Sequence, residues 1–151
     1  MSIEIAKSFI KATTEVLGTM ARITPVAGKP YVKKNTVARG DVSGVIGLTG
    51  DKVGTISVTF TQSCILGILR NMLGEDIENV IKDTQDAVGE LTNMISGKSR
   101  QLLSETGLTI HAATPTVILG KGHTIYHISK EPIMAIPFTT DHGEFTVEFC
   151  F

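Results

Sequence analysis

Apolar residues recur at spacings of three and four along residues 77–102, which is the spacing of one face of an α-helix. The positions are Ile77, Ile81, Thr84, Val88, Leu91, Ile95, Lys98 and Leu102. Lys98 is the only charged residue among them. The pattern predicts a long amphipathic helix, continuous over residues 84–104, whose apolar stripe packs against the rest of the protein.

The opposite face of this helix carries a short polar stripe. At roughly 100° per residue, four residues project from the same side: Asp86, Glu90, Asn93 and Gly97. Glu90 and Asn93 are three positions apart, so their Cβ atoms should lie about 5–6 Å from each other. A carboxylate and a carboxamide are therefore expected side by side on a rigid, solvent-facing support. Gly97 leaves the helix backbone exposed, so that another surface could approach it closely. A Gly in a helix interior lowers helix stability by about 1 kcal/mol relative to Ala.

Spacing alone leaves a simpler interpretation open. Glu and Asn are common on the solvated faces of helices, and a pair three residues apart arises readily by chance. The functional interpretation of Glu90 and Asn93 therefore depends on further features of the sequence.

The remaining patterns predict two more helices and a mostly antiparallel sheet. Helical spacing covers residues 3–21 and 62–73, and β-rich runs cover residues 37–61 and 110–151. A hairpin is expected at Gly50-Asp51, and Pro115 is expected to interrupt the first strand region after the long helix. This order indicates an α/β (α+β) sandwich, with long helices packed on the sheet, in a single domain over residues 1–151.

The two halves of the chain have a similar order of elements, which suggests a weak internal pseudo-repeat. Glu15-Val16-Leu17-Gly18 can be laid on Glu90-Leu91-Thr92-Asn93. Only the second copy has the carboxylate–amide pair, because Gly18 has no side chain. Accidental alignment of two short helices explains the similarity equally well.

Composition narrows the classes of function. The chain has 151 residues, 42% hydrophobic and 19% charged, with a net charge of −1, which is typical of a globular protein. The absence of a basic patch and of Trp argues against nucleic acid as a partner.

Cys64 and Cys150 are far apart and form no Cys-x-x-Cys motif, which favours a reducing cytoplasm and no metal site. No apolar run is long enough for a membrane span, and the N-terminal segment does not resemble a signal peptide.

The histidines and the basic residues near the N-terminus indicate no site. His123 and His127 are expected on one face of a strand, about 13 Å apart, too far for one metal ion. We interpret them as surface or edge residues. Lys33, Lys34 and Arg39 are interpreted as a solvated, positively charged edge.

Two segments carry a resemblance to a known family. Residues 90–97, ELTNMISG, resemble the Glu-x-x-Asn helix signature of the CheC/CheX/FliY phosphatases of bacterial chemotaxis. Residues 113–120, ATPTVILG, are similar to the strand segment that follows this helix in the family. Length and element order extend the resemblance over nearly the whole chain. CheC-like members carry the pair on two helices and CheX-like members on one, so Gly18 places the chain nearer CheX.

The resemblance implies a phosphatase that hydrolyses the aspartyl phosphate of a CheY-type response regulator. It implies that Glu90 pairs with the active-site lysine of the regulator and that Asn93 orients the attacking water. Asp86 and Gly97 are expected in the docking surface. The protein is expected to need no cofactor of its own, because the Mg²⁺ ion belongs to the regulator.

A homodimer is also expected. The family resemblance implies one, and the chain ends at Phe151 in an alternating apolar strand whose unpaired edge could pair with a second copy. A non-catalytic module that binds a response regulator, as flagellar-switch proteins do, is the alternative function. A third possible function is a small-molecule sensor that uses a groove between helices and sheet, although no cluster of polar residues in the sequence supports it.

Overall fold

The computed structural model describes residues 3–151. It contains three α-helices, namely α1 (Ile3–Ala21), α2 (Gln62–Leu73) and α3 (Val80–Ser104). It also contains eight strands, namely β1 (Val26–Ala27), β2 (Tyr31–Lys33), β3 (Val42–Gly50), β4 (Gly54–Phe60), β5 (Ile110–Ala112), β6 (Thr116–Leu119), β7 (Ile133–Thr140) and β8 (Gly143–Cys150). All strand pairs are antiparallel and the helices pack on the sheet, which confirms the predicted α+β class.

The sheet has the strand order β1-β7-β8-β4-β3-β5, and β2 and β6 add to β7 and β3 respectively. The break between β5 and β6 falls at Thr114-Pro115, as predicted. The last strand, β8, lies between β7 and β4 and is paired along both edges. The expected unpaired apolar edge at the end of the chain is therefore wrong, because the β4–β8 pairing joins segments that are far apart in sequence.

One face of the sheet forms the apolar core under the helices. Phe145, Val147 and Phe149 alternate on this face of β8 and are almost fully buried. The Phe9 ring of α1 stacks on that of Phe149 with centroids 4.6 Å apart. The side chains of α1 and β8 therefore pack against each other, which fixes α1 on the sheet.

The opposite face of the sheet is covered by residues 120–132, and it buries polar groups. Lys33 Nζ lies 2.8 Å from Glu148 Oε2, and His127 Nε2 lies 3.3 Å from Glu148 Oε1. His123 Nε2 contacts Ser43 Oγ at 2.6 Å. The interpretations of Lys33 as a solvated edge residue and of His127 as a surface or edge residue are wrong, because distant sequence segments supply their partners. His123 is half-buried, and neither histidine lies in a strand.

Helix α3 starts later than the apolar spacing suggests. Asn79 caps it by accepting a hydrogen bond from the Lys82 amide at 3.1 Å, so Ile77 lies outside the helix. Ile81 is exposed. Lys98 lies beside the apolar stripe, where its ammonium pairs with Glu15. A strict seven-residue repeat drifts by about 20° per heptad on a straight helix. The buried face therefore turns around the helix axis. In the second half of α3 it includes Thr92, Ser96, Ser99 and Leu103.

None of the helices within residues 3–151 is both long enough and apolar enough to cross a membrane.

Candidate functional site

The predicted polar stripe lies on the outward face of α3. Asp86, Glu90 and Asn93 are exposed, and Gly97 is half-buried. The helix is continuous through all four positions. The structure thus brings the four sequence-predicted residues together on one surface, as the helical spacing requires.

The position of this stripe is set by the buried side of the same helix. Leu91 and Ile95 are fully buried in the core. Thr92 Oγ1 donates a hydrogen bond to the Val88 carbonyl oxygen at 2.7 Å, and it rests directly on Gly44 of β3. A Cβ on Gly44 would overlap the Thr92 hydroxyl. The glycine therefore lets α3 approach the sheet closely at the residue that precedes Asn93.

The stripe is flanked by α1 on one side and by β6 on the other. Lys98 Nζ pairs with Glu15 Oε2 of α1 at 3.3 Å. These two residues also line a shallow groove of about 300 Å³ between α1 and α3, together with Val16, Thr19 and Met94. On the other side, a Cβ on Gly89 would make an ordinary contact with Val117 of β6 at 3.5 Å. Glu90 and Asn93 therefore project between two fixed flanks.

The polar groups of the stripe have no partners within the described part of the chain. Across residues 3–151, the side chains of Asp86, Glu90 and Asn93 form no hydrogen bond or ion pair. Asp86 and Glu90 are also four residues apart, which places two carboxylates next to each other. The carboxylate oxygens and both ends of the Asn93 amide are therefore available to an external group.

The apolar groove between α2 and the start of α3 is a separate feature. It has a volume of about 300 Å³, and Val80, Ile81 and Leu119 contribute exposed apolar surface to it. Ile81 precedes Glu90 by nine residues, which places it on the opposite side of the helix. The carboxylate of Asp41 in this groove already accepts a hydrogen bond from the Gln62 amide at 2.7 Å. The groove supplies little polar chemistry for a small-molecule sensor.

The stripe also extends one turn beyond the predicted residues. Arg100 follows Gly97 by three positions and lies half-buried beside it. The sequence motif ends at Gly97, so it does not include Arg100, although the same helical spacing would have found it.

A rigid helix face that presents unpaired polar groups between two flanks leaves those groups accessible to another macromolecule. Residues 42–139 match the family model of the chemotaxis phosphatase CheX. The chain belongs to this family of phosphatases, which confirms the resemblance inferred from the sequence.

Individual relatives agree with this assignment. The chain is 28% identical over 122 residues to the CheY-P phosphatase CheX of Thermotoga maritima, covering 80% of this chain and 79% of that protein. It is similar to the crystal structure of a chemotaxis protein CheX from Desulfovibrio desulfuricans, with 64% identity, a TM-score of 0.93, and coverage of 98% and 99% of the two chains.

The fold also matches a CheX–CheY–BeF3–Mg²⁺ complex from Borrelia burgdorferi. The identity is 22% and the TM-score is 0.81, with coverage of 99% of this chain and 98% of that chain. At this level of identity the similarity concerns the fold.

Proposed function

We propose that this protein hydrolyses the aspartyl phosphate of a CheY-type response regulator. The observation that carries the proposal is the Glu90–Asn93 pair, exposed on a fixed helix and without a partner in residues 3–151. The family match, which includes both residues, supports it, as does the name of the Thermotoga maritima relative.

Hydrolysis of an aspartyl phosphate requires mainly that the attacking water and the phosphoryl group be positioned correctly. An aspartyl phosphate is a reactive acyl phosphate, and the regulator supplies the metal ion and the lysine that hold it. The oxygen of a water molecule forms a bond to phosphorus while the bond from phosphorus to the aspartyl oxygen breaks, which yields inorganic phosphate and a free carboxylate. Phosphoryl transfer proceeds through a loose transition state in which alignment and charge stabilisation provide most of the acceleration.

Asn93 is the residue suited to orient that water. Its amide can accept a hydrogen bond from the water and donate one to a phosphoryl oxygen at the same time. It is not a base, which suits a loose transition state that requires little proton removal before attack. The buried contact of the preceding residue, Thr92, with Gly44 fixes the backbone from which this amide projects.

Glu90 is suited to anchor the complex. Its carboxylate lies one turn from Asn93 and has no cation of its own chain within ion-pair distance in residues 3–151. Pairing with the active-site lysine of the regulator would fix the register of the two proteins. Asp86 adds negative charge beside Glu90, and Gly97 leaves space for the surface of the partner.

Several further properties are part of the proposal. The protein uses no cofactor of its own, and the Mg²⁺ ion is bound by the regulator. It works in the cytoplasm, where response regulators are phosphorylated.

The protein also forms a homodimer. This part of the proposal rests on the family resemblance and not on the β8 edge. Sedimentation at micromolar concentration should give the mass of two copies, and the mass of one copy would contradict the dimer.

Phosphate release tests the activity directly. The CheY-type regulator of the same genome is phosphorylated with acetyl phosphate, separated from the excess, and mixed with a substoichiometric amount of this protein. We expect release of inorganic phosphate well above the rate of the regulator alone, with many turnovers per molecule. Binding of the phosphorylated regulator with no gain in rate would instead identify a non-catalytic interaction module.

A further inference from the structure

Charge is separated along the exposed face of α3. The carboxylates of Asp86 and Glu90 lie on the N-terminal half of the stripe, and the guanidinium of Arg100 lies at its C-terminal end. Glu90 and Arg100 are ten residues apart, or about 15 Å along the helix axis. The surface therefore has a negative end and a positive end.

The Arg100 side chain folds back along the helix. Its Nε donates a hydrogen bond to Ser96 Oγ at 3.2 Å, and Ser96 is fully buried. Its Nη2 lies 3.8 Å from the position that a Cβ on Gly97 would take. The guanidinium is thus held over the bare backbone of Gly97, about one helical turn from Asn93, in an orientation that the buried serine fixes.

Arg100 has no carboxylate partner within residues 3–151. The neighbouring cation Lys98 is paired with Glu15, and the buried Lys33 is paired with Glu148. Only the Nε of Arg100 is engaged, so the terminal nitrogens keep their N–H donors free for an external acceptor. Across the stripe, Asp86 and Glu90 form a like-charge pair without a cation, an arrangement that weakens a helix in isolation.

We propose that Arg100 is a docking residue that determines specificity by binding a carboxylate on the surface of the response regulator. The inference rests on the proposed function and deepens it. With Glu90 pairing with a cation and Arg100 with an anion about 15 Å away along α3, a regulator docked in the reverse direction along the helix would place like charges together. A planar guanidinium whose terminal Nη1–Nη2 edge is free matches a carboxylate in a bidentate pair, which a lysine ammonium cannot form.

Binding measurements test the inference without requiring hydrolysis. The probe is the CheY-type regulator of the same genome, loaded with Mg²⁺ and beryllofluoride, and titrated with the parent, Arg100→Ala, Arg100→Lys and Arg100→Glu. We expect Kd to rise about tenfold for Arg100→Ala and further for Arg100→Glu, with partial recovery in Arg100→Lys. The difference should shrink as salt is raised, because a partly exposed ion pair is screened.

A matched control and a rate measurement complete the test. Arg70 is an exposed arginine on α2, away from the stripe, and Arg70→Glu should leave Kd unchanged. In phosphate release, Arg100→Ala should raise KM and leave kcat within about twofold of the parent, because a contact equal in ground and transition states is lost.

Two outcomes would overturn the inference. One is a Kd for Arg100→Glu equal to that of the parent, with the same salt dependence. The other is a fall in kcat at unchanged Kd, which would assign Arg100 to the transition state. If the parent binds the loaded regulator in an Arg100-dependent way but releases no phosphate, the proposed phosphatase function fails and the docking role stands.

Discussion

The hydroxyl of Thr92 occupies the space that a side chain on Gly44 would need. Thr92 belongs to α3 and Gly44 to β3, so the helix lies too close to the sheet at this contact for a side chain to fit on residue 44. Asn93 follows Thr92, roughly 100° further around the helix, and is exposed to solvent. The placement of the exposed amide is thus set by a glycine on a different element.

Gly44→Ala should displace α3 and destabilise the protein. The added methyl group meets a buried side chain, and overpacking of this kind costs about 1–3 kcal/mol. Gly89→Ala is the matched control, because its methyl group would make an ordinary contact with Val117 and should stabilise the helix by up to about 1 kcal/mol. Urea unfolding of both variants measures the effect, and equal stability of Gly44→Ala and the parent would contradict the close-approach argument.

Gly97→Ala should separate stability from docking. A Cβ at this position has room, since the nearest atom apart from its chain neighbours and the surrounding helix backbone is Arg100 Nη2 at 3.8 Å. The helix should gain about 1 kcal/mol, whereas the Kd for the beryllofluoride-loaded regulator should rise, because a methyl group stands where the partner approaches. Gly89→Ala should give the same gain without the loss of affinity. Unchanged binding by Gly97→Ala would remove Gly97 from the docking surface.

The buried Lys33–Glu148–His127 cluster should make the fold sensitive to acid. Burial alone would raise the pKa of Glu148, but hydrogen bonds and charge from His127 and Lys33 outweigh it and lower the pKa below its usual value. A carboxyl with a lowered folded-state pKa stabilises the fold above its unfolded pKa of about 4.3, and this contribution is lost as pH falls through the folded value.

Glu148→Gln should therefore unfold more readily at neutral pH and lose less stability on acidification. Removing one partner of a buried ion pair typically costs about 3–5 kcal/mol. The measurement is the free energy of unfolding in urea from neutral pH to about pH 3, with the exposed Glu144→Gln on the same strand as the control. An acid profile of Glu148→Gln that parallels the parent would show that the carboxyl does not carry this sensitivity.

Local patterns predicted the helices and the stripe well, because the spacing of apolar positions reports directly which face of an element is buried. The bounds of α1 and α2 agree with the sequence-based ranges. Glu90 and Asn93 could be found because three-residue spacing on a helix determines their proximity without any tertiary information.

Contacts between distant segments could not be predicted in the same way. The partners Lys33 and Glu148 are 115 residues apart, and no local sequence pattern predicts their contact. The pairing of β8 with β4 is equally non-local, so the alternating pattern at the end of the chain indicates an open edge that the structure does not have. Arg100 lies on the predicted helix face but three residues beyond the motif, so the motif does not indicate it.

Glu90→Ala should weaken docking more than it alters the fold. The loss of one partner from a desolvated ion pair commonly costs about 2–5 kcal/mol of binding, while an exposed helix position usually changes stability by less than about 0.5 kcal/mol. Calorimetric titration of the beryllofluoride-loaded regulator measures the first and urea unfolding the second. A Kd equal to that of the parent would contradict the anchoring role.

The role of Asn93 is the central claim, and single-turnover hydrolysis tests it most directly. A phosphorylated regulator is mixed with excess Asn93→Ala, and the loss of phosphate is followed at saturating protein. Gln85→Ala, which removes an exposed amide elsewhere on α3, is the control. We predict that Asn93→Ala binds almost as tightly as the parent but hydrolyses about 100-fold or more slowly, whereas Gln85→Ala retains the parental rate. Hydrolysis by Asn93→Ala at the parental rate would contradict the proposed mechanism.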